Sequence, residues 1–175
     1  HYLAAFTAAM LNNQPLGFYG PETLVKDAQR HGLRFLPVDI RISGWETSLE
    51  QMERERAPCL RLGLNYVKAL RKTTAESIVA ERVKRPFRTM QDLVTRVPAI
   101  NRRELRNLSA LGAFNNLGED DSAGYRITRR DALWDAELVS RPLEPLFKVS
   151  GEGKRSVHWP LKPMTEIERV MTDIR

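Results

Sequence analysis

One short signal occurs five times along the chain, and its repetition leaves little freedom to be anything but mainly helical. Thr73-Thr74-Ala75-Glu76, Thr89-Met90-Gln91-Asp92, Asn101-Arg102-Arg103-Glu104, Thr128-Arg129-Arg130-Asp131 and Thr165-Glu166-Ile167-Glu168 share it. Each begins with a side-chain oxygen able to accept from a free first-turn amide. An acid three residues on can reach back to the chain or meet the positive helix end. Helical stripes follow these starts: Ile78, Val79 and Val83, then Met90, Leu93, Val94 and Val97, then Leu105, Leu108 and Leu111.

The stretch from Asn65 to Asn116 thus reads as two successive helix-turn-helix hairpins. The first pairs Leu64 and Val67 with a turn at Lys68-Ala69-Leu70-Arg71-Lys72 and a helix capped at Thr73. The second pairs Leu93, Val94 and Val97 with a turn at Pro98-Ala99-Ile100 and a helix capped at Asn101. Basic residues stand beside both starts. A helix N-terminus offers unpaired N–H groups and a positive dipole end, so two of them side by side could hold the two backbones of a DNA duplex.

Charge placement favours that reading. Of a net +6, residues 54–106 contribute 14 Lys and Arg against 5 Asp and Glu, a net of +9, and the remainder carries −3. So basic a contiguous stretch favours a polyanion partner, and a solvated face without any partner is the competing explanation. No apolar run reaches the roughly 18–20 residues of a membrane span. The single cysteine, Cys59, excludes an internal disulfide and a Cys-based metal cluster, fits a reducing cytoplasm, and reads as a small buried hydrophobe.

Upstream, residues 2–13 read as a helix with Tyr2, Phe6, Ala9, Met10 and Asn13 on one stripe. Pro21 to His31 reads as a second helix with Leu24, Val25 and Ala28 on its buried face. Pro21 suits the first helical position, Gly32 the left-handed residue after the end, and His31 a C-terminal dipole or backbone contact. From Leu33 to Arg61 the pattern turns extended, with residues 45–51 and 59–64 forming an antiparallel hairpin closed over 52–58. Downstream, 115–123 has the composition of a surface turn, and 140–163, with four prolines, reads as an extended linker before a last capped helix.

Taken in order, these stretches resemble the bacterial C-family DNA polymerases, the family of the polymerase III alpha subunit, and most nearly their error-prone branch. The likeness rests on Tyr2-Leu3-Ala4-Ala5-Phe6, Leu11-Asn12-Asn13-Gln14-Pro15-Leu16-Gly17-Phe18-Tyr19, His31-Gly32 and Pro37-Val38-Asp39. It continues through Trp45, Leu49-Glu50, Leu62-Gly63-Leu64 with Val67-Lys68, Asn101-Arg102-Arg103, Leu105, Leu108 and Leu111-Gly112-Ala113-Phe114. A weaker echo lies in Trp159-Pro160-Leu161 and Pro163-Met164-Thr165.

The resemblance implies the end of a fingers domain over 1–44 and a β-hairpin connector over 45–63. It implies a tandem helix-hairpin-helix domain over 64–117, and over 118–175 a helix and linker toward an oligonucleotide-binding domain. The magnesium-holding aspartates of the palm would lie upstream of His1, so this piece carries no catalytic residues, no metal and no cofactor. Its expected partners are double-stranded DNA and other domains of the parent polymerase, not a membrane. The expected DNA-binding residues are Lys68, Arg71, Lys72, Thr73, Asn101, Arg102 and Arg103, making phosphate contacts without reading sequence.

The first turn departs from the family pattern: Ala69 and Arg71 stand where glycines are usual. Either that turn is distorted and grips poorly, or Arg71 replaces backbone contacts with a guanidinium–phosphate contact. The second hairpin, with its cap at Asn101 and Arg102 and Arg103 beside it, is expected to grip better. The alternative function is a helical protein-interaction platform whose degenerate hairpin no longer binds DNA, with Trp134, Phe147 and Trp159 as anchors. A hydrolase built on His31, His158 and scattered acids has no supporting spacing.

Overall fold

A computed structural model describes residues 2–15, 17, 19–51, 58–117 and 128–139, all within a unit bounded by His1 and Arg141. The expected linker, the Thr165 helix start, the hairpin loop over 52–57 and the turn after Leu117 lie outside the described residues. Among those described, six helices and a three-stranded sheet bear out the mainly α expectation.

Helices α1 (Tyr2–Asn12) and α2 (Pro21–Arg30) pack through small residues: Ala4 and Ala8 meet Ala28, and Leu33 and Leu60 complete a minor core. This overturns the aromatic stripe expected for α1. Tyr2 and Phe6 are 93% and 62% exposed, whereas Ala4, Thr7, Ala8 and Leu11 are buried. Alanine faces let the two backbones approach closely, which bulky rings would prevent. Helix α2 starts on Pro21 and stops as expected: Gly32 takes φ +82°, its amide and that of Leu33 close on Gln29 and Ala28, and His31 Nδ1 lies 2.9 Å from the Asp27 carbonyl oxygen.

Strands β2 (Ser48–Glu50) and β3 (Cys59–Arg61) form the expected antiparallel pair, with Leu49 opposite Leu60. The sequence did not reveal that β1 (Phe35–Leu36) adds to the other side of β3 in parallel, giving the order β1-β3-β2. Cys59 is buried, as expected of a small apolar residue.

The chain then enters a short 3-10 turn (Leu64–Tyr66) and the helices α3 (Lys72–Lys84), α4 (Met90–Arg96) and α5 (Arg102–Ala110), with α6 (Arg129–Val139) beyond. Their shared core runs from Val38 and Ile40 through Leu64, Ile78, Leu93, Leu105, Leu108 and Phe114 to Ala132 and Ala136. Both α4 and α5 lie against α6. Two residues of the expected stripes face outward instead: Val83 is 80% and Leu111 44% exposed. Gly63 has no room for a side chain, because a Cβ there would meet the Trp45 carbonyl oxygen and lie 2.5 Å from the Glu46 carbonyl carbon.

Three of the anticipated caps form. Thr89 accepts from the Asp92 amide, Asn101 and Glu104 make a complete capping box, and at the start of α6 the Asp131 amide donates to the Thr128 hydroxyl while the Thr128 amide donates to the Asp131 carboxylate. The fourth is displaced. Helix α3 begins at Lys72, its N-cap is Arg71, and Thr73 does not cap it. A partner from outside the local sequence allows that shift.

Candidate nucleic-acid interface

That partner is Glu104. Its carboxylate accepts from the Arg71 backbone N–H at 3.0 Å through Oε1 and from the Asn101 backbone N–H at 2.9 Å through Oε2. Arg71 and Asn101 are the N-caps of α3 and α5, so one carboxylate holds the cap amides of both hairpins. The two positive helix ends therefore stand side by side. The Arg71 guanidinium closes on the same group, with Nε 2.9 Å from Oε1 and Nη2 3.1 Å from Oε2, and Nη2 also donates to the Ala99 carbonyl in the second turn.

Glu104 has no exposed side-chain surface. Burial pushes its carboxyl up, but the Arg71 side-chain and backbone bonds, the Asn101 amide and the guanidinium charge outweigh burial and hold it down at about 2. The same bonds raise the Arg71 guanidinium above its ordinary value. A buried acid here is tolerated because four donors converge on it.

The first turn forms without its glycines. Ala69 takes the left-handed conformation, φ +61°, that glycine would adopt without strain. Arg71 needs no such freedom, having φ −76° and ψ 142°, ordinary extended backbone. The turn is held by the Val67 and Leu70 amides closing on Leu64 and Val67, and from outside by Asn107 Nδ2, which donates to the Lys68 carbonyl at 2.5 Å.

The remaining anticipated site residues fall around these two ends. Lys68 is exposed on the first turn and Arg103 on the first turn of α5; among the described residues neither forms an ion pair. Arg103 precedes Asn107 by one helical turn, on the same face, so the Asn107–Lys68 bond brings that face of α5 to the first turn. Lys72 opens α3 and lies 3.9 Å from Glu76, a loose contact between two exposed groups. Arg102 reaches Glu137 on α6 instead of standing free. Thr73 is exposed at the second position of α3, and the Asn101 side chain is occupied in accepting from the Glu104 amide at 2.9 Å. No side chain caps α3, whereas α5 carries its full capping box.

Much of the positive charge elsewhere is internal. Arg96 donates to the Glu81 and Arg85 carbonyls and stacks 4.5 Å from the Phe87 ring centroid, joining the end of α3 to α4. Arg61 pairs with Glu50, Lys84 with Glu81, and Arg85 with Asp92. The net +9 already subtracts Glu81 and Asp92; Arg61 and Arg102 lower the free charge further, since their acids, Glu50 and Glu137, lie outside residues 54–106. Sequence reasoning missed Glu104 and Asn107, since its signals read Glu104 only as a local cap. Among the described residues no three His, Cys, Asp or Glu side chains group to hold a metal ion. No described helix is long and apolar enough to cross a membrane.

Comparison with known proteins agrees with this geometry. Residues 32–123 match the family model described as the helix-hairpin-helix motif. The chain is 46% identical over 136 residues to an error-prone DNA polymerase of Bordetella parapertussis, covering 78% of this chain and 12% of that protein. It is 37% identical over 182 residues to the error-prone DNA polymerase of Methylococcus capsulatus, covering 88% and 16%. To that of Burkholderia pseudomallei it is 38% identical over 179 residues, covering 100% and 16%. It therefore spans between about an eighth and a sixth of the length of these relatives. The resemblance to error-prone polymerases read from the sequence is borne out, and the matched stretch holds both hairpins: the chain belongs to the helix-hairpin-helix family.

Proposed function

We propose that residues 64–117 hold double-stranded DNA through its phosphates, without reading sequence, as part of an error-prone DNA polymerase. The observation that carries this reading is the Glu104 carboxylate shared by the N-cap amides of α3 and α5, which sets two positive helix ends together. Lys68, Lys72 and Arg103 supply mobile positive charge around them, and Thr73 and Arg102 flank the two starts. Arg71 and Asn101 contribute mainly by shaping those starts. The division at 44, 63 and 117 into fingers end, connector, hairpin domain and following linker belongs to the same proposal. So do a cytoplasmic location and neighbouring polymerase domains as partners.

In this reading the chain's own work is grip. Phosphate contacts fix duplex without regard to base identity, which suits an enzyme that must follow any template. Magnesium-dependent nucleotidyl transfer and damage tolerance are proposed for the polymerase as a whole, by likeness to the named relatives, and no described residue is assigned to them.

The test is duplex binding by the 175-residue chain across a salt series. Affinity for unrelated duplexes of equal length should be alike and fall steeply with salt, and the Lys68→Ala/Arg103→Ala double variant should flatten the slope by about two units. An unchanged slope in that variant would remove the site assignment. A second reading, a protein-interaction platform, draws on the exposure of Trp134 (41%) and Leu138 (42%), one turn apart on α6. Salt-insensitive or absent DNA binding together with capture of another polymerase domain favours it.

A further inference from the structure

We propose that Arg71 and Glu104 are positioning residues that latch the two hairpin turns into one body, so that both helix ends meet DNA phosphates at the same time. The inference rests on the duplex-binding reading above. It differs from that reading in assigning the pair no phosphate of its own.

Three contacts cross between the hairpins in opposite directions. From the first hairpin, Arg71 gives its backbone N–H, Nε and Nη2 to Glu104, and Nη2 also donates to the Ala99 carbonyl of the second turn. From the second, Asn107 Nδ2 donates to the Lys68 carbonyl of the first turn. A single bond would leave a hinge; bonds running both ways from different positions on α5 fix the turns in relative angle as well as distance. The acid at their centre is completely buried, while the Arg71 side chain retains 54% of its exposure. Glu104 therefore cannot itself touch DNA, and it engages the Arg71 guanidinium through Nε and Nη2.

Two grips on one rigid body engage as one binding event, with the second at high effective concentration; on a loose joint that effective concentration is lower. This gives the latch a signature that charge alone reverses. Counting charges, removal of Glu104 takes an acid out of a DNA-binding face and should strengthen binding. If Glu104 is the latch, the same removal weakens binding, because one hairpin leaves its phosphates.

The experiment measures binding of a fluorescently labelled duplex by the full chain over a range of potassium chloride, for Glu104→Gln, Arg71→Ala, Arg71→Lys and the Glu104→Gln/Arg71→Ala double variant. Each single variant is expected to weaken binding by at least about tenfold. Each should also flatten the salt slope by about two units, the share of Lys68 and Lys72. The double variant should be no worse than either single one. Arg71→Lys keeps the charge and loses the two-pronged geometry, so it should fail to rescue. Unchanged or tighter binding by Glu104→Gln overturns the proposal. So does a one-unit flattening in Arg71→Ala with none in Glu104→Gln, the mark of a direct Arg71–phosphate contact.

Circular dichroism and the unfolding midpoint identify any variant that has lost its fold. Asn107→Ala, which leaves the carboxylate in place, then carries the test: a flattened slope supports the latch and an unchanged slope overturns it. If the unaltered chain shows no salt-dependent duplex binding, the DNA reading fails separately. Amide exchange then reads the latch alone. Joint deprotection of 68–72 and 97–101 in Asn107→Ala supports it, and deprotection confined to 68–72 overturns it.

Discussion

Arg82 Nη1 donates to the Ser43 carbonyl at 2.7 Å, and that bond stitches α3 to the turn that precedes β2. The same guanidinium serves the Ile40 carbonyl at 3.0 Å and the Ile42 carbonyl at 2.9 Å. Asp39 braces the turn from within: its backbone N–H donates to Ser43 Oγ, and its carboxylate accepts from Asn116. One side chain thus joins the hairpin domain to the chain entering it. Replacing Arg82 with Ala leaves three carbonyls without their donor and is expected to cost about 2–3 kcal/mol. Urea unfolding of the two proteins checks this; a difference under about 0.5 kcal/mol would mean that water replaces the guanidinium without loss.

Ala69 offers the opposite sign. Its φ of +61° places a Cβ where L-residues are strained. Ala69→Gly removes that strain but also loosens the unfolded chain, so a net gain of up to about 1 kcal/mol is expected. Thermal unfolding at neutral pH should register a higher midpoint, and a lower one would show that the alanine methyl contributes contacts worth more than the strain.

Gly63 admits no such exchange. A Cβ there would run into the Trp45 carbonyl, and neither backbone can withdraw, because the Asn65 amide donates to that same carbonyl at 3.0 Å. Gly63→Ala should destabilise by about 3 kcal/mol or more, visible as loss of the cooperative unfolding transition or a large fall in its midpoint. A midpoint within a few degrees of the parent would contradict the close approach.

Two carboxyls set opposite responses to pH. Burial, helped by the neighbouring charge of Asp131, pushes Asp135 on α6 up to about 6 from an ordinary 3.8. A raised acid adds stability below its unfolded value, and that contribution is lost as pH rises through about 6. Asp135→Asn is therefore expected to stabilise by about 1–2 kcal/mol at pH 7.5, allowing for partial exposure, and to change little at pH 3.5. Glu104, held at about 2, contributes stability that is present above 4.5 and lost as pH falls toward 2. Acid unfolding of Glu104→Gln should be correspondingly shallower, measured by circular dichroism between pH 5 and 2.

What the sequence revealed, it revealed where the physics is local. Caps at Thr89, Asn101 and Thr128 use an oxygen and an amide three residues apart, and Gly32 ends α2 by its own backbone freedom. The β2–β3 pairing was also legible, since a hairpin joins neighbours in sequence. What it concealed depends on distant partners. Thr73 has the form of a cap, but Glu104, thirty-three residues from Arg71, draws the start of α3 back. The large rings of Tyr2 and Phe6 offer more apolar surface than alanine, yet the neighbouring helix selects the alanine face of α1. Arg71 looked free because pairing partners far along the chain leave no mark beside it. The parallel pairing of β1 with β3 was hidden for the same reason.

The shared carboxylate also bears on how such a region can be cut and recombined. A chimera that exchanges only the second hairpin, or that breaks the chain between α3 and α5, would separate Glu104 from Arg71 and bury an acid with three of its four donors gone. The smallest transplantable piece therefore extends at least from the entry at Leu64 through Leu117, the end of the core residues that follow α5. A graft that respects those limits carries its own alignment with it, whatever scaffold receives it.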